Sequence, residues 1–263
     1  MEKGTIVRVN YDAFADGELF DTTSAETAKA NNKYKEDAFY GALPMILGAG
    51  RVVPGFDAAL LKADVGKEQE VEIAPEQGFG PRDPSKVETV ALREFLKRDV
   101  EPEPGMRVEW EGKGRGTVTS VTAGRVRLDF NPMLAGKILK YKFTVTEVVE
   151  TPEQKVRAIL DNDYGYGRGE SFGVKVDGAT AELVVPDGCK FDPRWPVSKY
   201  VIVADLRRYA GITKIRLVEE YEPPEPPAEP EPAPPAPELA EEELTDADRA
   251  EVERQLAAKK RGA

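Results

Sequence analysis

The chain reads Val52-Val53-Pro54-Gly55-Phe56-Asp57 at the point that decides its fold. Two β-branched residues run into a proline, whose fixed φ suits the first turn of a helix and whose missing N–H costs nothing there. Phe56 and Leu60 then fall four apart, on one helix face, and Gly66 supplies a stop. This predicts a short helix with an apolar face that needs a sheet to lie on.

The sheet reads outward on both sides. Upstream, Thr5 to Asp21 reads as strand, turn and strand, with Asp16-Gly17 as the hairpin signal between Val9–Tyr11 and Leu19-Phe20. Leu43 to Gly48 is a further apolar strand, leading through a glycine loop into the decisive stretch. Downstream, Val71 and Ile73 alternate in another strand, which Gly78-Phe79-Gly80-Pro81 ends with turn chemistry.

At about Pro84 the pattern changes. A short helix-periodic piece (Leu92, Phe95, Leu96) precedes three strand patterns. These are Met106, Val108 and Trp110, then the neighbourhood of Val118, then Val126, Leu128 and Phe130. A strand rich in Tyr, Phe, Thr and Val resumes from Ile138 to Val149. Thr151-Pro152-Glu153-Gln154 then predicts a helix to about Asp161, with Thr151 as N-cap, Pro152 at the first helical position and Gln154 closing a capping box. Alternation at Phe172, Val174 and Val176, and at Leu183 and Val185, gives two strands. Val197, Val201 and Ala204 mark a helix face, and Ile215–Leu217 a last strand. From Glu222 to about Glu241 Pro, Glu and Ala dominate, too poor in large apolar groups to offset ordering entropy; Thr245 can cap a short, mostly charged helix carrying Val252 and Leu256.

The expected organisation is therefore α+β: residues 1–83 plus 133–150, an inserted small β-rich unit at 84–132, a C-terminal α+β unit at 151–220 and an acidic Pro-rich tail at 221–263. In 263 residues a hydrophobic share of 40 % supports real cores. The formal charge of -11 opposes phosphate backbones and anionic surfaces, so neither nucleic acid nor a membrane is an expected partner. Single Cys189 leaves no intrachain disulfide, and with no histidine in the chain there is neither an ordinary Cys/His metal site nor an imidazole base. No cofactor or metal is expected. Without an apolar leader or span, the expected location is cytoplasmic; the chain is also expected to be a monomer.

Taken together, Val9-Asn10-Tyr11, Asp16 to Thr23, Val52 to Asp57 and Gly78-Phe79-Gly80 resemble, in order and spacing, an FKBP-type peptidyl-prolyl cis/trans isomerase. With Leu128 to Asn131 and Leu134-Ala135-Gly136 before the last strand, they resemble the SlyD-like branch, especially its long archaeal members. The resemblance covers residues 1 to about 150. It implies an antiparallel sheet wrapped on a short helix, with the flap replaced by the 84–132 insert. Pro132 stands where the family usually has histidine, Phe79 where it commonly has tyrosine, and the tail lacks the His/Cys-rich metal-binding end of many members. The unit from 151 on resembles the extra domain of the long forms in position and element order.

The resemblance implies that Tyr11, Phe20, Asp21, Val52, Val53, Phe56, Phe79 and Tyr141 line a proline-binding cavity. Phe56 would be its floor and Phe20 and Tyr141 its walls; the Val53 N–H would hold a substrate carbonyl, and Tyr11 and Asp21 would position the amide. Leu43 and Ile46 are expected in the core. By the same resemblance the insert is chaperone-like, presenting Leu92, Phe95, Leu96, Met106 and Trp110 to unfolded or partly folded proline-containing polypeptides. A holdase or peptide-binding module with little isomerase activity is the alternative, and the Pro-rich segment, being rich in Glu, reads as a spacer rather than a ligand for aromatic grooves.

Overall fold

Residues 1–221, together with 247, 250, 251, 253 and 254, are described by the computed structural model of the chain. The Pro/Glu-rich segment lies outside the described residues. So does most of the terminal helix expected from Thr245, although each described residue there has helical backbone.

Alternating apolar residues form β1 (Ile6–Ala15), which turns through Asp16 and Gly17 into β2 (Glu18–Thr22). Both turn residues sit at positive φ, 50° and 85°, as a tight two-residue hairpin requires. A short α1 (Ala25–Ala30), absent from the sequence reading, follows, with the Ser24 hydroxyl accepting from the Thr27 N–H. Next come β3 (Leu43–Ile46) and α2 (Pro54–Lys62), the latter burying Phe56 and Leu60. The helix closes on β4 (Glu68–Ile73) because residue 55 has no side chain: a Cβ there would stand 2.5 Å from Ile73 Cγ2.

The insert begins with β5 (Val87–Ala91), which the sequence reading missed because it alternates poorly between buried and exposed positions. After it come α3 (Leu92–Leu96), β6 (Arg107–Trp110), β7 (Gly114–Thr122) and β8 (Arg125–Asp129). These strands form their own antiparallel sheet in the order β5-β8-β7-β6 over a core of Phe95, Val118, Val126 and Leu128. The chain returns through β9 (Leu139–Val148), the centre of the first sheet: β2-β1-β9-β4, with β3 also on β1, all antiparallel. Where the two crossing segments meet, the Asn131 side chain accepts from the Asp83 N–H and donates to the Asp83 carbonyl, both at 2.9 Å.

The C-terminal unit comprises α4 (Pro152–Asp163), β10 (Gly173–Asp177), β11 (Thr180–Val184), α5 (Asp187–Lys190), α6 (Trp195–Tyr209) and β12 (Lys214–Val218). β11 pairs with β10 antiparallel and with β12 parallel, the helices making the crossover. Two readings need correction here. Gln154 does not reach back to the Thr151 backbone but accepts from the Thr151 hydroxyl at 2.9 Å. The face of α6 marked by Val197, Val201 and Ala204 points to solvent, and the buried face is Trp195, Ile202 and Leu206. Those three recur at i, i+7 and i+11, an equally regular stripe with larger side chains, and burial follows the larger apolar area.

The core of this unit does not stop at residue 151. Ile6, Ile46 and Val149 belong to it, packed with Val156, Ile159 and Leu160 of α4. No helix among the described residues is long and apolar enough to cross a membrane.

Candidate active site

Tyr11 on β1 and Tyr141 on β9 face the same side of the sheet, two residues apart in register, with Ala13 directly opposite both Tyr141 and Asp21. Adjacent strand residues normally point to opposite faces, so Phe20 and Asp21 should diverge. They do not, because the β1–β2 register slips between Ala13 and Phe14: Ala13 pairs with Asp21, Phe14 with Leu19, and Phe20 is the extra residue of a bulge. Both side chains then line one hollow. The segment ahead of α2 brings Val52 and Val53, the first turn of α2 brings Phe56, and the turn after β4 brings Phe79. All eight residues singled out in the sequence border this cavity of about 270 Å³.

Its walls are aromatic and mutually braced. Phe56, only 1 % exposed, stacks on Tyr141 with centroids 4.2 Å apart at 15°, and Phe143 meets Phe56 edge-on from behind at 5.3 Å. Phe20 stands edge-on to Tyr141 at 6.0 Å and to Phe79 at 6.3 Å, while Tyr11 contacts both Phe56 and Tyr141. Such T-shaped and offset pairs add about 0.5–1.5 kcal/mol each beyond burial, so the walls hold their shape without a ligand.

Several polar side chains border the aromatic walls. The Tyr11 hydroxyl donates to Asp21 Oδ2 at 2.7 Å. Burial, reinforced by the Asp21 carboxylate, holds the Tyr11 phenol far above its ordinary range, and burial pushes Tyr141 up to about 12. Both phenols therefore stay protonated as donors near neutral pH. Val53, with φ -59° and ψ 143°, precedes the helix, and among the described residues its N–H has no acceptor. The hollow thus offers a free amide donor, a hydrogen-bonded tyrosine–aspartate pair at its rim and an aromatic bed. It holds no histidine and no nucleophile poised by a base.

Other residues border the cavity that the sequence reading did not assign to it. Leu43 and Ile46, expected only in the core, line it as well; Ile46 is buried all the same. Arg51 reaches the cavity and bridges Asp163 of α4 and Asp205 of α6. Asn162 and Tyr166, from the C-terminal unit, also form part of the wall. The only local sign of this in the sequence is Gly165-Tyr166-Gly167, an aromatic between glycines like Gly78-Phe79-Gly80.

The insert residues separate differently from the expectation. Phe95 is core rather than surface, 2 % exposed, because α3 folds it onto Val118, Val126 and Leu128. Leu92, Met106 and Trp110 are half-buried against that core, Trp110 lying 5.0 Å from Phe95 and covered by the Arg98 guanidinium at 4.7 Å. Leu96 is 55 % exposed.

The family model for FKBP-type peptidyl-prolyl cis-trans isomerase matches residues 1–92, that for the FKBP26 IF domain residues 88–134, and that for the FKBP26 C-terminal region residues 152–222. A short-type peptidyl-prolyl cis-trans isomerase of Methanocaldococcus jannaschii is 36 % identical over 148 residues, 56 % of this chain and 94 % of that protein. FKBP-type peptidyl-prolyl cis-trans isomerases SlyD of Helicobacter pylori and Treponema pallidum are 31 % and 32 % identical. Those alignments take in 48 % and 49 % of this chain, and 68 % and 74 % of the two proteins.

Proposed function

Since the chain belongs to the FKBP-type peptidyl-prolyl cis-trans isomerase family, we propose that the aromatic hollow on β1, β2, α2 and β9 is where it turns the Xaa-Pro bond of a polypeptide. The enzyme acts on proline-containing chains, and the reaction breaks no covalent bond. Resonance opposes rotation by roughly 18–20 kcal/mol, and the uncatalysed exchange takes tens to hundreds of seconds. A planar amide is the more polar state, because conjugation puts negative charge on its oxygen. Moving it from water into an aromatic bed raises the planar form more than the twisted one, which lowers the barrier without any titrating group.

In this reading the proline ring lies on Phe56, between Phe20 and Tyr141. The free Val53 N–H takes a substrate carbonyl, and the Tyr11–Asp21 pair orients the amide. One observation carries the reading: the stacked and edge-on contacts among Tyr11, Phe20, Phe56, Phe79 and Tyr141 enclose one shared hollow. The test is NMR line exchange of an Xaa-Pro peptide with and without protein. Acceleration that Tyr141→Ala depresses supports the assignment, and acceleration indifferent to that change removes Tyr141 from it.

We also propose that the insert binds unfolded segments weakly and raises their concentration at the pocket. Support comes from Leu96, exposed beside half-buried Leu92, Met106 and Trp110. Deletion of residues 85–132 is expected to spare isomerisation of short peptides and to slow refolding of a proline-limited protein; equal losses in both assays refute the division of labour.

A further inference from the structure

Beside the proline pocket lies a second hollow of about 700 Å³. The two are continuous: Tyr11, Phe20, Asp21, Leu43 and Tyr166 border both. The second is completed by the segment from Asn32 to Leu43, including Phe39 and Tyr40, with Lys33 and Lys35 at its polar side. Tyr166 is the member that comes from outside the isomerase sheet.

The backbone carrying Tyr166 is fastened at several points. Arg51 holds Asp163, and the buried Asp161 carboxylate accepts from the Gly169 N–H at 2.7 Å. Gly167, at φ +76°, lies against the Phe39 ring so closely that a Cβ there would meet Phe39 Cδ2 at 2.8 Å. Only glycine fits that conformation and that contact. Tyr166 itself remains 45 % exposed, and among the described residues its hydroxyl has no hydrogen-bond partner. A ring on a fixed backbone, half open to solvent, with an unused donor beside a substrate pocket, is suited to recognition.

Resting on the isomerase reading above, we propose that Tyr166 is a specificity-determining residue and that the C-terminal unit thereby forms part of the substrate groove. The proline occupies the first hollow and a flanking residue the second. There the Tyr166 ring packs on a large apolar or aromatic side chain, and its hydroxyl donates to a neighbouring backbone carbonyl. The occupant is the continuing polypeptide, because the second hollow opens from the first and shares its walls, and because the aromatic faces of Phe39, Tyr40 and Tyr166 match such a side chain.

The experiment uses the full chain, with Tyr166→Phe and Tyr166→Ala, on paired peptides carrying Phe or Ala next to proline. Wild type is expected to favour the Phe peptides. Tyr166→Ala abolishes that preference, mainly through a higher KM, and Tyr166→Phe keeps the preference but lowers kcat/KM for both peptides by about two- to twelve-fold, the net worth of one hydrogen bond. Thermal unfolding of both variants is expected to match wild type, since the ring is half exposed. A wild type without preference, or a preference intact in Tyr166→Ala, overturns the inference while leaving the isomerase reading standing. A wild type that accelerates neither peptide overturns the isomerase reading, and this inference with it.

Discussion

Replacing Arg51 with methionine tests how the C-terminal unit is joined to the pocket. The Arg51 guanidinium bridges Asp163, whose side chain is 1 % exposed, and Asp205, at 12 %. Burial already raises the Asp163 pKa above its ordinary 3.8, with Arg51 opposing that rise and the neighbouring Asp205 adding to it. Without the cation two partly desolvated carboxylates face each other, and breaking such a buried pair costs about 3–5 kcal/mol. Arg51 is itself 31 % exposed, so water reaches the site and the lower end, about 3 kcal/mol, is expected. The sign with pH follows from the raised folded-state value. The penalty is full where the Asp163 carboxylate is ionised, and it shrinks as pH falls toward 3.8, because the folded chain then takes up a proton at Asp163 earlier than the unfolded one. The assay is denaturant unfolding followed by Trp195 fluorescence in a Trp110→Phe background, with Trp195 buried in the C-terminal core. Adding Asp163→Asn and Asp205→Asn should recover most of the loss. A loss under about 1 kcal/mol, the range of surface pairs, or a loss indifferent to pH refutes the reasoning.

Phe95→Ala should destabilise the insert by about 3–5 kcal/mol, as removal of a core phenylalanine does; amide exchange should speed in β7 and β8 and stay slow in β1 and β9, and a uniform change would mean that the two sheets unfold together. Asn131→Ala removes both bonds to the Asp83 backbone and should cost about 1–3 kcal/mol, visible as faster exchange at Asp83 and Phe130. Gly55→Ala places a methyl 2.5 Å from Ile73 Cγ2; overpacking of this kind costs about 1–3 kcal/mol, and the displaced start of α2 carries Val53 with it, so activity and stability should fall together. With no histidine and with the Tyr141 phenol near 12, the isomerisation rate should be flat with pH through the neutral range, and stability should decline as pH climbs from 10.0 toward that value; a rate step near neutrality would point to a titrating group outside this account.

The chemistry of the pocket was legible in the residues. Asp16-Gly17 fixes a hairpin, Pro54 starts a helix and Phe56 anchors it; seven of the eight side chains that border one hollow lie in the four blocks that carry the family resemblance, and the resemblance adds Tyr141 on the last strand. These are local instructions: turn chemistry, helix start and strand alternation act within a few residues, so a linear reading recovers them. Even there it could not show that Phe20 and Asp21 face the same way, because that depends on a register slip between two strands.

What tertiary structure alone decided is everything that depends on distant segments choosing each other. α6 carries two regular apolar stripes, and only the neighbouring sheet and α4 settled which one is buried. Arg51 meets Asp163 and Asp205, and Phe39 meets Gly167, across more than a hundred residues of chain, with nothing in the spacing to announce it. The C-terminal unit could be read as a unit but not as a wall of the site. Sequence sets what each short stretch is able to form, whereas packing sets which surfaces it must share, since apolar area is buried against whatever the whole chain brings near.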